Sequence, residues 1–250
     1  MLNALVQGSG PAIVLLHPVG LDASSWEEVA TRLGGQTVVR VDLRGHGSSP
    51  PAHPSMTLHD YAGDVAELIG SLGLAPVVLI GLSFGGMVGQ TVAIEFPKLL
   101  RGLVVAGCPC DFNDAQRQML RERGTKALNG GMQAVVAETI ARWFSPDFIA
   151  SGGAEPVRQR LLSDDPKAWA TAWSAIAGLE TRPRLGSVRV PTVCIAGERD
   201  AASPVEAVQQ IATHIPDARF VVLPGASHMM HIETPDLFVG EVRRLLDRLP

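Results

Sequence analysis

Val77-Val-Leu-Ile-Gly-Leu-Ser-Phe-Gly-Gly86 decides how this chain is read. Residues 77–80 form a short apolar run with the length and β-branching of a fully buried strand. After it come Gly81, Leu82, Ser83, Phe84, Gly85 and Gly86, then a helical run over 87–96. A G-x-S-x-G pattern therefore falls on a strand-to-helix turn. Such a turn strains the backbone of its central residue and lifts that side chain clear of the sheet, and side chains flanking it would collide, which is why glycines are needed there. The helix that follows aims its free N-terminal amides at the same place. Ser83 is the candidate nucleophile, set against the blander possibility of a glycine-rich turn with an incidental serine.

Outward from this turn, short apolar runs over 12–16, 38–42, 77–80, 103–106, 192–196 and 220–223 alternate with helical patterns. That alternation predicts an α/β fold, a mostly parallel sheet flanked by helices. Leu58, Tyr61, Ala62, Val65, Leu68, Ile69 and Leu72 make one apolar helix face, opened by Thr57 and Asp60 as a capping pair. The interval 111–189 breaks the rhythm: it carries helical segments, Trp143, Trp169 and Trp173, and no convincing strand. The expected organisation is one domain, with 1–110 and 190–250 as the core and 111–189 as an inserted helical cap.

A serine hydroxyl is a poor nucleophile at neutral pH and needs a base held by an acid. Asp200 ends Gly197-Glu198-Arg199-Asp200, the segment directly after the run 192–196, and His228 ends Gly225-Ala226-Ser227-His228 after the next run. The order Ser83, Asp200, His228 is that of an α/β-hydrolase triad. His231 competes for the base, and Glu198 and Asp111 for the acid. A tetrahedral oxyanion needs two N–H donors. The amide of Phe84 is one; Pro18 has no N–H, so Val19, in the loop after the first run, is the other. His17 and the segment from Asp42 to Gly47 read as groups that hold the backbone.

Composition narrows the class of partner. With 46% hydrophobic and 18% charged residues the chain is neither disordered nor fibrous, and 250 residues bury a core without staples. Lys plus Arg is 21 against 25 for Asp plus Glu, a net charge of −4. That balance lacks the basic footprint of a nucleic-acid or membrane-surface binder and points to a small-molecule partner. Cys108, Cys110 and Cys194 form no C-x-x-C pair, so no disulfide framework or zinc site is expected and a reducing cytosol fits. No signal peptide or membrane span is read from the first residues or the apolar stretches. Neither a Walker A pattern nor a complete G-x-G-x-x-G occurs, so no nucleotide cofactor is expected, and the proposed chemistry needs no metal.

The segments around Leu16–Gly20, Asp42–Gly47, Gly81–Gly86, Gly197–Asp200 and Ser227-His228 together resemble the α/β-hydrolase superfamily over nearly the whole chain. The phrase around His17, the Trp143-Phe144-Ser145-Pro146 segment and the length most resemble 3-oxoadipate enol-lactonases and related small carboxylic-ester hydrolases. The resemblance implies acyl transfer from an ester or lactone through Ser83, His228 and Asp200. C–C bond hydrolysis or cofactor-free perhydrolysis on the same triad, and a non-turnover ligand sensor, remain alternatives. Met87, Trp143, Phe144, Trp169 and Trp173 are the candidate pocket walls, and Arg158, Arg160, Arg182 and Arg184 the candidate partners of a substrate carboxylate.

Overall fold

A computed structural model describes residues 1–249. Among these residues the sheet has seven strands: β1 (Ala4–Gly8), β2 (Ala12–Leu16), β3 (Thr37–Val41), β4 (Val77–Leu82), β5 (Leu100–Ala106), β6 (Thr192–Gly197) and β7 (Arg219–Leu223). Their spatial order is β1-β3-β2-β4-β5-β6-β7. β1 runs antiparallel to β3, and every other pair is parallel. In β2, β4 and β6 every residue is buried, which explains their uninterrupted apolar sequence.

The helices are α1 (Glu27–Arg32), α2 (Leu58–Leu72), α3 (Phe84–Glu95), α4 (Asp114–Gly130), α5 (Gln133–Trp143), α6 (Pro146–Ala150), α7 (Glu155–Leu162), α8 (Pro166–Ala177), α9 (Val205–His214), α10 (Met230–Glu233) and α11 (Pro235–Leu246). Of the apolar face read on α2, Leu58, Tyr61, Ala62, Val65, Leu68 and Ile69 pack inward, whereas Leu72, the last residue of the helix, is exposed. Each of the Leu, Val and Ile side chains, fully buried, contributes about 1.5–3 kcal/mol. Thr57 and Asp60 close a reciprocal capping box at its start.

Two differences from the expected strands have simple causes. β1 lies at a sheet edge with Leu5 and Val6 exposed, so its sequence lacks the buried run that marks the other strands. Asp42, expected to end β3, lies just beyond it. Its carboxylate instead accepts from the amides of Ala23 (2.7 Å) and Ser48 (2.8 Å) and from the side-chain amide of Asn3 (2.8 Å), tying three loops together. Between β5 and β6 the chain forms α4 to α8 and one isolated bridge, Asp111 to Glu180. Arg117 of α4 joins two of these helices by donating to the carbonyls of Ala177 (2.6 Å), the last residue of α8, and Leu179 (3.0 Å), just past it. Among the described residues no helix is long and apolar enough to cross a membrane.

Candidate active site

β4 ends at Leu82 and α3 starts at Phe84, leaving Ser83 alone at the turn with φ +54° and ψ −117°. For a residue with a Cβ this is a strained conformation. Its neighbours show why only glycine fits around it. A Cβ on Gly81 would lie 2.1 Å from the carbonyl oxygen of Gly85, and one on Gly85 would lie 2.1 Å from that of Leu16. The second contact brings β2, and with it the 17–22 loop, against the start of α3. Phe84 occupies the first helical position, where the amide has no carbonyl partner within the helix. Its ring is buried edge-on against Tyr61, with centroids 4.9 Å apart.

Asp200 and His228 are brought together from the ends of β6 and β7. Asp200 Oδ2 and His228 Nδ1 lie 2.8 Å apart. Asp200 Oδ1 accepts from the amides of Ala202 and Ser203, both at 2.8 Å, so the carboxylate is fully engaged and rigid. Of the competitors, His231 packs against Trp26 with centroids 4.4 Å apart, and both its ring nitrogens lack partners. Glu198 accepts from the amide of Gly225 at 2.7 Å, and Asp111 pairs with Arg182 at 2.7 Å. None of these bonds reaches His228. The hydrogen bonds of the described residues do not join Ser83 to His228, but both side chains face one cavity of about 380 Å³. A depression of about 460 Å³ beside α2, lined by Arg44, His53 and His59, holds neither group.

Val19, Met87, Trp143 and Trp173 line the same cavity as Ser83. Phe144 and Trp169, expected on its wall, are elsewhere. Phe144 stacks on Phe148 with centroids 5.2 Å apart, because it follows the last turn of α5 and turns away from Trp143. Trp169 sits one helical turn before Trp173 on α8 and packs against the 17–22 loop at Gly20. None of the four candidate arginines lines the cavity: Arg158 pairs with Glu155, Arg160 with Asp22 and Asp164, Arg184 with Glu95, and Arg182 with Asp111, whose own side chain is on the cavity wall.

Two arginines that the sequence reading passed over, Arg123 and Arg142, do line it. The Arg123 guanidinium lies 5.2 Å from the centre of the Trp173 ring and donates to Glu138 at 3.3 Å. Burial, with the nearby charge of Arg142, lowers its pKa. Arg142 donates at 3.4 Å to the carbonyl of Ala201, and its buried Nε has no partner. A signal was present in α4, where Leu120, Arg123, Gly124 and Ala127 share one face at three-and-four spacing.

Burial favours the neutral form of His17, His46 and His231. His17 Nε2 accepts from the amide of Leu43 (2.9 Å), which assigns the proton to Nδ1, and Nδ1 donates to the carbonyl of Pro18 (2.7 Å). Burial pushes His17 down to about 4, and His46 and His231 down to about 3, from 6.5. Their stabilisation is complete above pH 6.5 and is lost as pH falls towards those lower values. Asp164 acts oppositely: burial raises it from 3.8 to about 7, so its contribution is complete below 3.8 and lost as pH rises through 7. Three histidines outweigh one aspartate, and the net loss between pH 7 and pH 5 is on the order of 3 kcal/mol. Urea unfolding at the two pH values checks this; equal midpoints would refute it.

A central strained serine turn and a buried acid–histidine pair at the same sheet edge define a hydrolase of the α/β class. Residues 13–241 match the alpha/beta hydrolase family, and the chain belongs to that family. It is 29% identical over 251 residues to 3-oxoadipate enol-lactonase 2 of Acinetobacter baylyi, a match spanning 97% of this chain and 91% of that protein. Among solved structures it resembles the enol-lactonase from Burkholderia xenovorans (TM-score 0.93, 29% identity, 99% of this chain and 96% of that one). It also resembles a thermophilic esterase from Thermogutta terrifontis with malate bound (TM-score 0.93, 28% identity, 99% and 93%).

Proposed function

We propose that this hydrolase cleaves a small carboxylic ester or lactone that itself bears a carboxylate, through an acyl-enzyme on Ser83. The observation that carries the reading is the His228 ring, held at Nδ1 by Asp200 while it faces the cavity that Ser83 also faces. With Nδ1 engaged, Nε2 is the free base. Substrate closes the remaining contact between Nε2 and the Ser83 hydroxyl, as catalytic hydrogen bonds commonly tighten on binding. His228 takes the hydroxyl proton while Ser83 Oγ bonds to the carbonyl carbon, and the displaced electron pair moves onto the carbonyl oxygen. The amides of Val19 and Phe84 stabilise that oxyanion. Its collapse breaks the bond to the leaving oxygen, which takes the proton from His228. Water then repeats the sequence on the acyl-enzyme: His228 accepts its proton, the acid leaves, and Ser83 regains its hydrogen.

Residues 111–189 act as the cap that walls the cavity, through α4, α5 and α8. The carboxylate belongs to the substrate because Arg123 and Arg142 put two guanidiniums at the cavity wall, and among the described residues the one carboxylate bonded to either is Glu138, on Arg123, while Arg142 donates to the Ala201 carbonyl. An anion there relieves their mutual repulsion. The names of the relatives agree, since enol-lactonases and a malate-bound esterase are among them. Charge-assisted hydrogen bonds contribute about 1.5–3 kcal/mol, so monomethyl succinate should be cleaved at least about tenfold more efficiently than methyl butyrate. Arg142→Gln should remove most of that preference. Equal kcat/KM for the two esters would remove the carboxylate from this account.

A further inference from the structure

The loop carrying Val19 is gripped by a partly buried ion cluster with no part in the chemistry above. Asp22, three residues beyond Val19, uses Oδ1 to accept from the amide of Ser24 at 2.9 Å, capping the short helical turn Ala23–Trp26. Its Oδ2 accepts from Arg160 Nε at 2.5 Å. Arg160 Nη1 in turn donates to Asp164 Oδ1 at 2.5 Å and to the Ser163 hydroxyl at 3.3 Å. Arg160 lies on α7, so 138 positions separate the residues joined by its bond to Asp22. The Asp164 side chain is 8% exposed, and its Oδ2 has no partner.

The contact continues to Gly20, adjacent to Val19, which has φ +74°. A Cβ there would lie 2.5 Å from Leu161, 2.7 Å from Trp169 and 3.2 Å from Asp164 Oδ2. On its other side the loop is already fixed. The Pro18 carbonyl accepts from His17 Nδ1 (2.7 Å) and from the amide of Leu21 (3.2 Å). The Val19 N–H shares a planar peptide with that carbonyl and points the opposite way. Gly20 is thus the soft joint beyond the donor, and α7, α8 and the ion cluster close over it.

We propose that Arg160 is a positioning residue: by joining Asp22 to Asp164 it locks the 17–22 loop to the helices between β5 and β6 and so holds the Val19 amide in the place of the developing oxyanion. The inference rests on the donor role given to Val19 above. Apolar side chains of similar volume would fill this space as stably, since buried ion clusters are often no better than hydrophobic replacements. The planar guanidinium adds direction, through bonds of defined geometry to two carboxylates on different elements.

Arg160→Met and Arg160→Lys test it, with short-ester kinetics and amide exchange at Leu21 and Ala23, whose N–H groups bond to Pro18 O and Asp42 Oδ1. A donor misplaced by about 1 Å can cost about a hundredfold, so Arg160→Met should lower kcat about tenfold to a hundredfold with KM changed less than about threefold. Exchange at Leu21 and Ala23 should quicken at least about tenfold while amides of β4 stay protected. Arg160→Lys, which keeps the charge without the fork, should fall between, and it carries the test if the methionine variant does not fold. Unchanged kcat with unchanged exchange overturns the proposal, and a raised KM at unchanged kcat would make Arg160 a binding group instead. A wild-type protein without ester turnover overturns the function reading and this inference with it, whereas normal turnover with indifferent Arg160 variants overturns the inference alone.

Discussion

Ser83→Ala should lower turnover of a short ester by about 10⁵- to 10⁶-fold, the scale of loss when a serine hydrolase loses its nucleophile. The expectation follows from the bond Ser83 Oγ must form. Without that oxygen no acyl-enzyme forms, and the oxyanion donors, the cavity and the His228–Asp200 pair can act only on direct attack by water, which has no nucleophile tethered to the chain to precede it. Alanine keeps the Cβ that already sits at φ +54°, so the turn between β4 and α3 changes little and the variant should unfold near the wild-type temperature. A loss below about a hundredfold, with fold intact, would show that ester cleavage proceeds elsewhere on the protein.

Asp200→Asn should cost about 10⁴-fold in kcat while preserving the fold. The carboxylate has two distinct sides. Oδ1 accepts from two backbone amides, and Oδ2 faces His228 Nδ1. An asparagine must keep its oxygen toward the two amides, because its NH₂ there would meet two donors. Its NH₂ therefore faces Nδ1, which must accept. The ring proton is then forced onto Nε2, where it points at Ser83 and blocks proton abstraction. The loss should appear in kcat, with substrate binding little altered, since Asp200 lies behind His228. A variant retaining more than about a tenth of wild-type kcat would mean that the tautomer of His228 does not govern the rate.

The elements at the centre of the molecule were legible because their sequences are constrained twice, by burial and by turn chemistry. The Gly81–Gly86 turn and the paired caps Thr57 and Asp60 have short-range patterns with a single geometric solution. The partnership of Asp200 with His228 was legible from their places after successive strands. β1 escaped because an edge strand with exposed Leu5 and Val6 need not be apolar throughout. The cavity walls were the least legible. Whether a residue in 111–189 faces the cavity depends on the rotation of its helix. Trp143 and Phe144 are adjacent in sequence but only the first reaches it. The same uncertainty favoured Arg158 and Arg160 over Arg123, although the Leu120–Arg123–Gly124–Ala127 stripe marked Arg123 as inward-facing. The grip of Arg160 on Asp22 joins residues whose proximity no local pattern encodes.

Rapid acid quenching of the wild-type protein during turnover of a short p-nitrophenyl ester, followed by peptide mass analysis, tests the central claim most directly. The peptide containing Ser83 should carry the acyl group, accumulating with the burst of p-nitrophenol and absent in Ser83→Ala. Full-rate turnover with Ser83 unmodified, or an acyl group on another side chain, would contradict it.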